Sequence, residues 1–188
     1  MEQNYISNDV FEQIKDFNHW ELTEEQNSLI DKLIPSKELK QRYKKYGLCK
    51  GCNQPNTDSV WTVWCRPCNA KHFQQDFKNW TSGNSNIDKF IQESQLKAKK
   101  FWEKLEWIEY DKFESIKYIA KGGFGVIYKA DWKEGRVVEW NYETNQWSRE
   151  SDMTVALKCL NNSKDITLEF LNEVQQYYCI TIILKNKY

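Results

Sequence analysis

The chain lacks an excess of charge of either sign, since 27 Lys and Arg side chains balance 27 Asp and Glu side chains. The net charge of the chain therefore gives no long-range attraction to nucleic acid or to an acidic membrane. A long apolar run is also missing, because Ile180–Leu184 is far shorter than the roughly 20 residues that span a bilayer. The N-terminus lacks the basic-then-apolar layout of a signal peptide. These absences predict a cytoplasmic location without a membrane segment, with the nucleus as the alternative.

Disulfides are not expected in that compartment, so the six cysteines need another explanation. Cys49 and Cys52 form one C-x-x-C pair, and Cys65 and Cys68 form another after 12 intervening residues. Two such turns can present four thiolates to one Zn²⁺ ion and leave no coordination position open. The spacing therefore predicts a structural zinc site in a ribbon-like module, whose binding energy would contribute to folding.

Two alternatives to this Cys₄ site are four reduced cysteines without metal and two redox pairs. His72 follows Cys68 by four residues and is a candidate substitute ligand, although a packing or surface histidine is the favoured interpretation.

The pattern along the chain predicts an α+β protein with a helical first half. Thr23 and Gln26 indicate a capping box, while Ser36 and Gly47 bracket a short basic helix. The segments are a helical N-terminal part at 1–46, a Cys₄ module at 47–80, a helical linker at 81–106 and a β-rich part at 107–188, so the main boundary falls near residue 105.

The basic helix offers one possible nucleic-acid surface beside the zinc module. Its cations are Lys37, Lys40, Arg42, Lys44 and Lys45. A solvated helix face is the favoured interpretation because the charge of the whole chain is balanced.

Three motifs follow one another in the last third of the chain. The run IAKGGFGVIYKA at 119–130 is a glycine-rich hairpin, VALK at 155–158 ends in Lys158, and EFLNEV at 169–174 contains Glu173. Together and in this order they resemble the N-lobe of a protein kinase, with an antiparallel sheet and helix C. Ala120 stands where that family has its first glycine, and Gly122 and Gly125 stand at the second and third.

The resemblance implies an ATP site in which backbone N–H groups of the glycine loop and Lys158 hold phosphates, while Glu173 pairs with Lys158. The cofactor would be ATP. The residues that the resemblance places at the nucleotide are Ile119, Ala120, Gly122, Gly123, Phe124, Gly125, Ile127, Ala156, Lys158 and Glu173.

The connection at 131–154 is long and contains alternating apolar positions at Val138 and Trp140. It predicts an additional β-hairpin that extends the N-lobe sheet.

Residues 20–175 as a whole resemble a large fungal group of kinase-like proteins, in which a zinc-ribbon-like segment precedes the kinase domain. The 188 residues contain no H-R-D-x-x-x-x-N loop and no D-F-G segment. The resemblance therefore implies a truncated kinase that binds ATP weakly or not at all and transfers no phosphoryl group by itself. A zinc-stabilised module that binds a protein partner is the alternative, and a nucleic-acid binder is the least favoured one.

Overall fold

The computed structural model describes residues 5–58, 63–122, 125–160 and 180–182. Helices occupy the first half of this part of the chain and strands the second, which confirms the predicted α+β class. The helices are α1 Asn8–Ile14, α2 Glu24–Leu33, α3 Lys37–Tyr46, α4 Arg66–Asp76 and α5 Ser85–Lys97. The strands are β1 Phe113–Gly122, β2 Gly125–Trp132, β3 Arg136–Asn141, β4 Gln146–Glu150, β5 Met153–Leu160 and β6 Ile180–Ile182.

The N-terminal helices begin and end where the capping residues predict. The Thr23 hydroxyl accepts the Gln26 backbone N–H at 3.2 Å, and the Gln26 side chain accepts the Thr23 N–H at 3.1 Å, so the predicted capping box is confirmed. Ser36 caps α3 in the same position. Gly47 ends α3 with φ at 65°, and the ring of His19 leaves no space there for a Cβ atom.

Helices α1, α2 and α3 enclose a core of their own, in which Ile14, Ile30 and Tyr43 are buried. The Tyr43 hydroxyl donates to the Ile14 carbonyl at 3.0 Å, so its polar end is satisfied inside this core. In the part of the chain that the structure describes, none of the helices has the length and apolarity that crossing a membrane requires.

One sheet joins β1, β2, β5 and β6 in that order. Strands β1, β2 and β5 are antiparallel neighbours, as predicted, and part of one face of these strands is buried. The apolar residues of that core are Phe113, Ala130, Trp132, Val155 and Leu157.

The predicted antiparallel sheet is present in β1, β2 and β5, but the pairing differs at the far edge, where β6 runs parallel to β5. The predicted helix C, with Glu173, lies outside the described residues.

The additional hairpin exists, but the prediction that it extends the sheet is wrong. Strands β3 and β4 form a two-stranded sheet of their own. Strand β2 instead pairs directly with β5, and the backbone N–H of Asp152 donates to the Lys133 carbonyl at 3.0 Å where the hairpin leaves the sheet. The hairpin packs away from the sheet because its apolar side chains join a second core. The members of that core are Trp64, Phe73, Ala98, Phe101 and Val137, and Trp147 packs against it.

A buried group of charges fixes the segment before β1 against this hairpin. The Glu106 carboxylate binds Lys104 Nζ at 2.8 Å and Arg149 Nη2 at 3.1 Å, and it accepts the Val137 backbone N–H at 2.9 Å. Burial by itself acts to raise the pKa of Glu106, but the positive charges of Lys104 and Arg149 outweigh it and hold that pKa below its ordinary value. These contacts cross the boundary predicted near residue 105, which stays a prediction.

Replacing Glu106 with Gln should destabilise the protein strongly, because the buried cation Lys104 and the partly exposed cation Arg149 would lose their anion. Breaking a buried ion pair costs about 3–5 kcal/mol in free energy of unfolding. Urea denaturation would measure the change, with Glu93→Gln as the matched control because Glu93 pairs with Lys97 on the surface of α5. The control should lose far less stability. Equal losses in the two variants would contradict a structural role for the buried group.

Candidate metal centre

The four predicted cysteine ligands come from two turns that the fold places face to face. Cys49 and Cys52 lie in the tight turn after α3, where the Asn53 backbone N–H donates to the Cys49 carbonyl at 2.9 Å. Asn53 adopts a positive φ of 59°, which asparagine tolerates better than most residues. Cys65 is the N-cap residue of α4, and Cys68 lies in the first turn of that helix.

The four Sγ atoms all lie within 4.8 Å of one another. Cys49 Sγ is 3.7 Å from Cys68 Sγ, and Cys52 Sγ is 3.6 Å from Cys65 Sγ. A tetrahedral zinc ion with Zn–S bonds of about 2.3 Å separates its sulfurs by about 3.8 Å. The cysteines are free, and these distances far exceed the roughly 2.05 Å of an S–S bond. The cluster therefore fits a closed tetrahedral metal site.

The thiols influence one another because they share so small a volume. Hydrogen bonds from Cys52 and Cys65 lower the pKa of Cys49. The hydrogen bond with Cys49 raises the pKa of Cys65, and burial followed by the charge of Cys49 raises that of Cys68 to about 12. One thiolate therefore opposes ionisation of these two neighbours, whereas a divalent cation would favour ionisation of all four.

The structure adds a residue that the sequence did not indicate at this site. Tyr142, in the turn of the β3–β4 hairpin, places its hydroxyl 3.4 Å from Cys49 Sγ. The backbone N–H of Gly51 donates to the same sulfur at 3.4 Å. Burial, and next the hydrogen bond with Cys49, raise the pKa of Tyr142, so the phenol stays protonated and can donate. An aromatic residue at a hairpin turn was the available signal, but nothing local identified its partner.

His72, the candidate substitute ligand, packs against the hairpin instead. Its ring stacks on Trp140 with centroids 3.7 Å apart and planes 8° from parallel. Burial lowers the pKa of His72, which favours the neutral ring. Among the described residues, the ligand group contains cysteines alone.

Several of the residues predicted to contact a nucleotide lie together on the β1–β2–β5 sheet. Ala120 pairs with Ile127, and Ile127 pairs with Lys158, so these three are side by side on one face. Ala156 lies on that face two residues before Lys158. The face is opposite to the one that carries the buried core residues.

The rest of the predicted nucleotide set is placed only in part. Ile119 lies in β1 and is exposed, and Gly122 and Gly125 pair where β1 and β2 meet. Gly123, Phe124 and Glu173 lie outside the described residues, so the predicted ion pair between Glu173 and Lys158 stays a prediction.

Several cations of the basic helix α3 bind polar groups within the protein. Lys40 and Lys44 both lie within 3.3 Å of Asp31, and Arg42 donates to the carbonyls of Pro55 and Asn56. These contacts agree with the solvated helix face that the sequence favoured, and nucleic-acid binding stays untested.

Comparison with known proteins gives this chain no relatives: no family model, no curated protein and no solved structure matches it. The kinase-like resemblance accordingly rests on the sequence motifs alone.

Purified protein should contain one zinc ion per chain, and the Cys49→Ser/Cys65→Ser double variant should contain close to none. Serine removes one thiolate ligand from each turn, and the two remaining sulfurs cannot enclose the ion. Metal analysis by mass spectrometry would measure both. Cys159→Ser is the control, because Cys159 lies in β5 outside the cluster, and its zinc content should equal that of wild type. Zinc-free wild-type protein, or full zinc in the double variant, would contradict a Cys₄ site.

Proposed function

We propose that this chain is a kinase-like N-lobe carried on a zinc-stabilised helical module, and that its sheet binds the phosphates of ATP. The observation that carries the nucleotide part is the register of three strands. It brings Ala120, Ile127 and Lys158 into one row, although they come from separate motifs. The resemblance requires these positions to contact one ligand, and residues on opposite faces of a sheet could not do so.

Gly122 supports the same proposal. It has no positive φ, and an added Cβ atom would meet only the Gly125 carbonyl oxygen, at 4.0 Å, among the described neighbours. The described packing therefore does not require a glycine at this position. A ligand that approaches the backbone closely would require one, as phosphates do beneath the glycine loop of kinases.

Each proposed role belongs to a particular group. Lys158 would bind the α- and β-phosphates, Glu173 would orient Lys158, and the small side chain of Ala156 with Ile127 would contact the adenine ring. The base and the magnesium ligands of phosphoryl transfer belong to the H-R-D and D-F-G segments, which these 188 residues do not contain. We propose weak ATP binding and no phosphoryl transfer from this chain alone.

The structural zinc is the second part of the proposal. The donor set consists of four thiols at tetrahedral spacing, so the ion would have no position free for substrate or water. Zinc would therefore stabilise the fold and take no part in a reaction.

A protein-binding module is the alternative, and one observation favours it. Among the described strands, β1 lies at an edge of the sheet, and its Tyr118 and Ile119 are 63% and 55% exposed. An edge strand with exposed apolar side chains can pair with a strand of another chain. Concentration-dependent association in sedimentation experiments, abolished by Ile119→Lys, would favour this alternative.

Nucleotide binding should be weak and should depend on Lys158. We expect a dissociation constant for Mg-ATP on the order of millimolar, measured by saturation-transfer NMR, and loss of the signal in Lys158→Met. Lys121→Met is the matched control. Lys121 is an exposed lysine beside the turn that joins β1 to β2, and its pairing with Val126 places it on the sheet face opposite to that of Lys158. A micromolar constant would contradict weak binding. A signal that survives Lys158→Met, or no signal in wild type at millimolar nucleotide, would contradict the proposed site.

A further inference from the structure

The turn of the β3–β4 hairpin reaches the cysteine cluster across a long stretch of chain. Tyr142 and Cys49 are 93 residues apart in sequence, yet their Oη and Sγ atoms are 3.4 Å apart. The tyrosine ring lies directly on Gly51, between the first two cysteines. A Cβ atom at Gly51 would lie 2.5 Å from both Cε1 and Oη of Tyr142, so this contact requires a glycine.

A second set of contacts joins the hairpin to α4, the helix that carries Cys68 and begins after Cys65. His72 stacks on Trp140, and Phe73 stacks on Trp147 with centroids 4.3 Å apart. Trp140 and Trp147 meet edge to face at 5.1 Å, so the four rings form one continuous group. His72 and Phe73 lie in the same helix as Cys68, about one turn after it.

One hydrogen bond extends this interface beyond the rings. The Val63 backbone N–H, two residues before Cys65, donates to Glu139 Oε2 at 3.2 Å. The hairpin therefore contacts residues next to the first pair of cysteines and next to the second. These contacts thus lie on both sides of the cysteine cluster.

We propose that Tyr142 belongs to the metal centre, donating its hydroxyl hydrogen to the metal-bound Cys49 thiolate, and that docking of the hairpin depends on the metal. The inference rests on the proposed zinc binding and goes beyond it. A thiolate that binds zinc retains lone pairs and accepts a hydrogen bond from a neutral donor, which orients the ligand and stabilises it. Without the ion, the hydrogen bonds between Asp58 and Trp64 still join the segments that carry the two turns, but the sulfurs are no longer held together. The surface on which Tyr142, Trp140 and Trp147 rest then loosens.

Hydrogen exchange of the full chain, with zinc bound and after removal by a chelator, tests metal-dependent docking. We expect the amides of residues 136–150 to lose protection when zinc is removed, while the β1–β2 amides keep most of theirs. If one zinc binds per chain and the hairpin amides exchange equally in both states, docking does not depend on the metal and the inference is wrong, although the zinc site stands. A chain that binds no zinc overturns both.

Two variants separate the hydroxyl from the packing of the ring. Tyr142→Phe keeps the ring on Gly51 and removes the donor, so zinc transfer to a coloured chelator should become roughly 10- to 100-fold faster. Tyr118→Phe, which alters a tyrosine on β1 away from the cluster, should leave the rate unchanged. Equal rates in wild type and Tyr142→Phe would overturn the role of the hydroxyl.

Gly51→Ala tests docking without removing a ligand. The backbone of Gly51 does not have a positive φ, so alanine fits the turn, but its methyl group would displace the tyrosine ring. We expect one zinc per chain and hairpin amides that exchange faster than in wild type. Wild-type protection in this variant would show that the ring contact does not hold the hairpin.

Discussion

Four thiol sulfurs within 4.8 Å of one another are the constraint on which most of this molecule depends. Groups that oppose one another's ionisation do not collect at a point unless a cation or a rigid frame holds them there. Here the first turn continues from α3 and the second begins α4, so the cluster joins the core of α1–α3 to the core that contains Trp64 and Phe73. The sulfurs thus meet where these two helical parts adjoin, beside the backbone hydrogen bonds between Asp58 and Trp64.

The hairpin between β2 and β5 shows why a strand pattern does not determine a neighbour. Its backbone could have paired along the main sheet, but its side chains are large aromatics that need partners on more than one side. Packing against α4 buries Val137 and brings Trp140 and Trp147 onto His72 and Phe73. Burial of aromatic area therefore explains the placement better than an added edge of backbone hydrogen bonds. The largely buried Glu106, with Lys104 and Arg149, then fixes the base of the hairpin.

Features whose partners lie within a few residues could be predicted from the sequence. Short-range geometry predicts the capping box at Thr23 and the helix between Ser36 and Gly47. It also predicts that the two C-x-x-C turns bring their four cysteines together, and the structure bears these predictions out. Tyr142 could not be predicted as a neighbour of Cys49, because periodicity describes which face a residue occupies and not what covers that face. The same holds for the hairpin placement and the parallel β6. The glycine-loop and VALK motifs did predict strands, and they predicted that Lys158 and Ile127 contact the same nucleotide. The described register is compatible with that role but does not test it.

The contact between Cys49 and Tyr142 also bears on the order in which parts of the protein can fold during synthesis. A ribosome adds about 5–20 residues each second from the N-terminus, so the segment between these two residues takes several seconds to appear. Both cysteine turns and α4 are made well before the hairpin. During that interval His72 and Phe73 lack their aromatic cover, while all four cysteines of the cluster are already present before Tyr142 exists. The hairpin is thus the later piece, and it packs on a surface that the two cysteine turns and α4 supply before it.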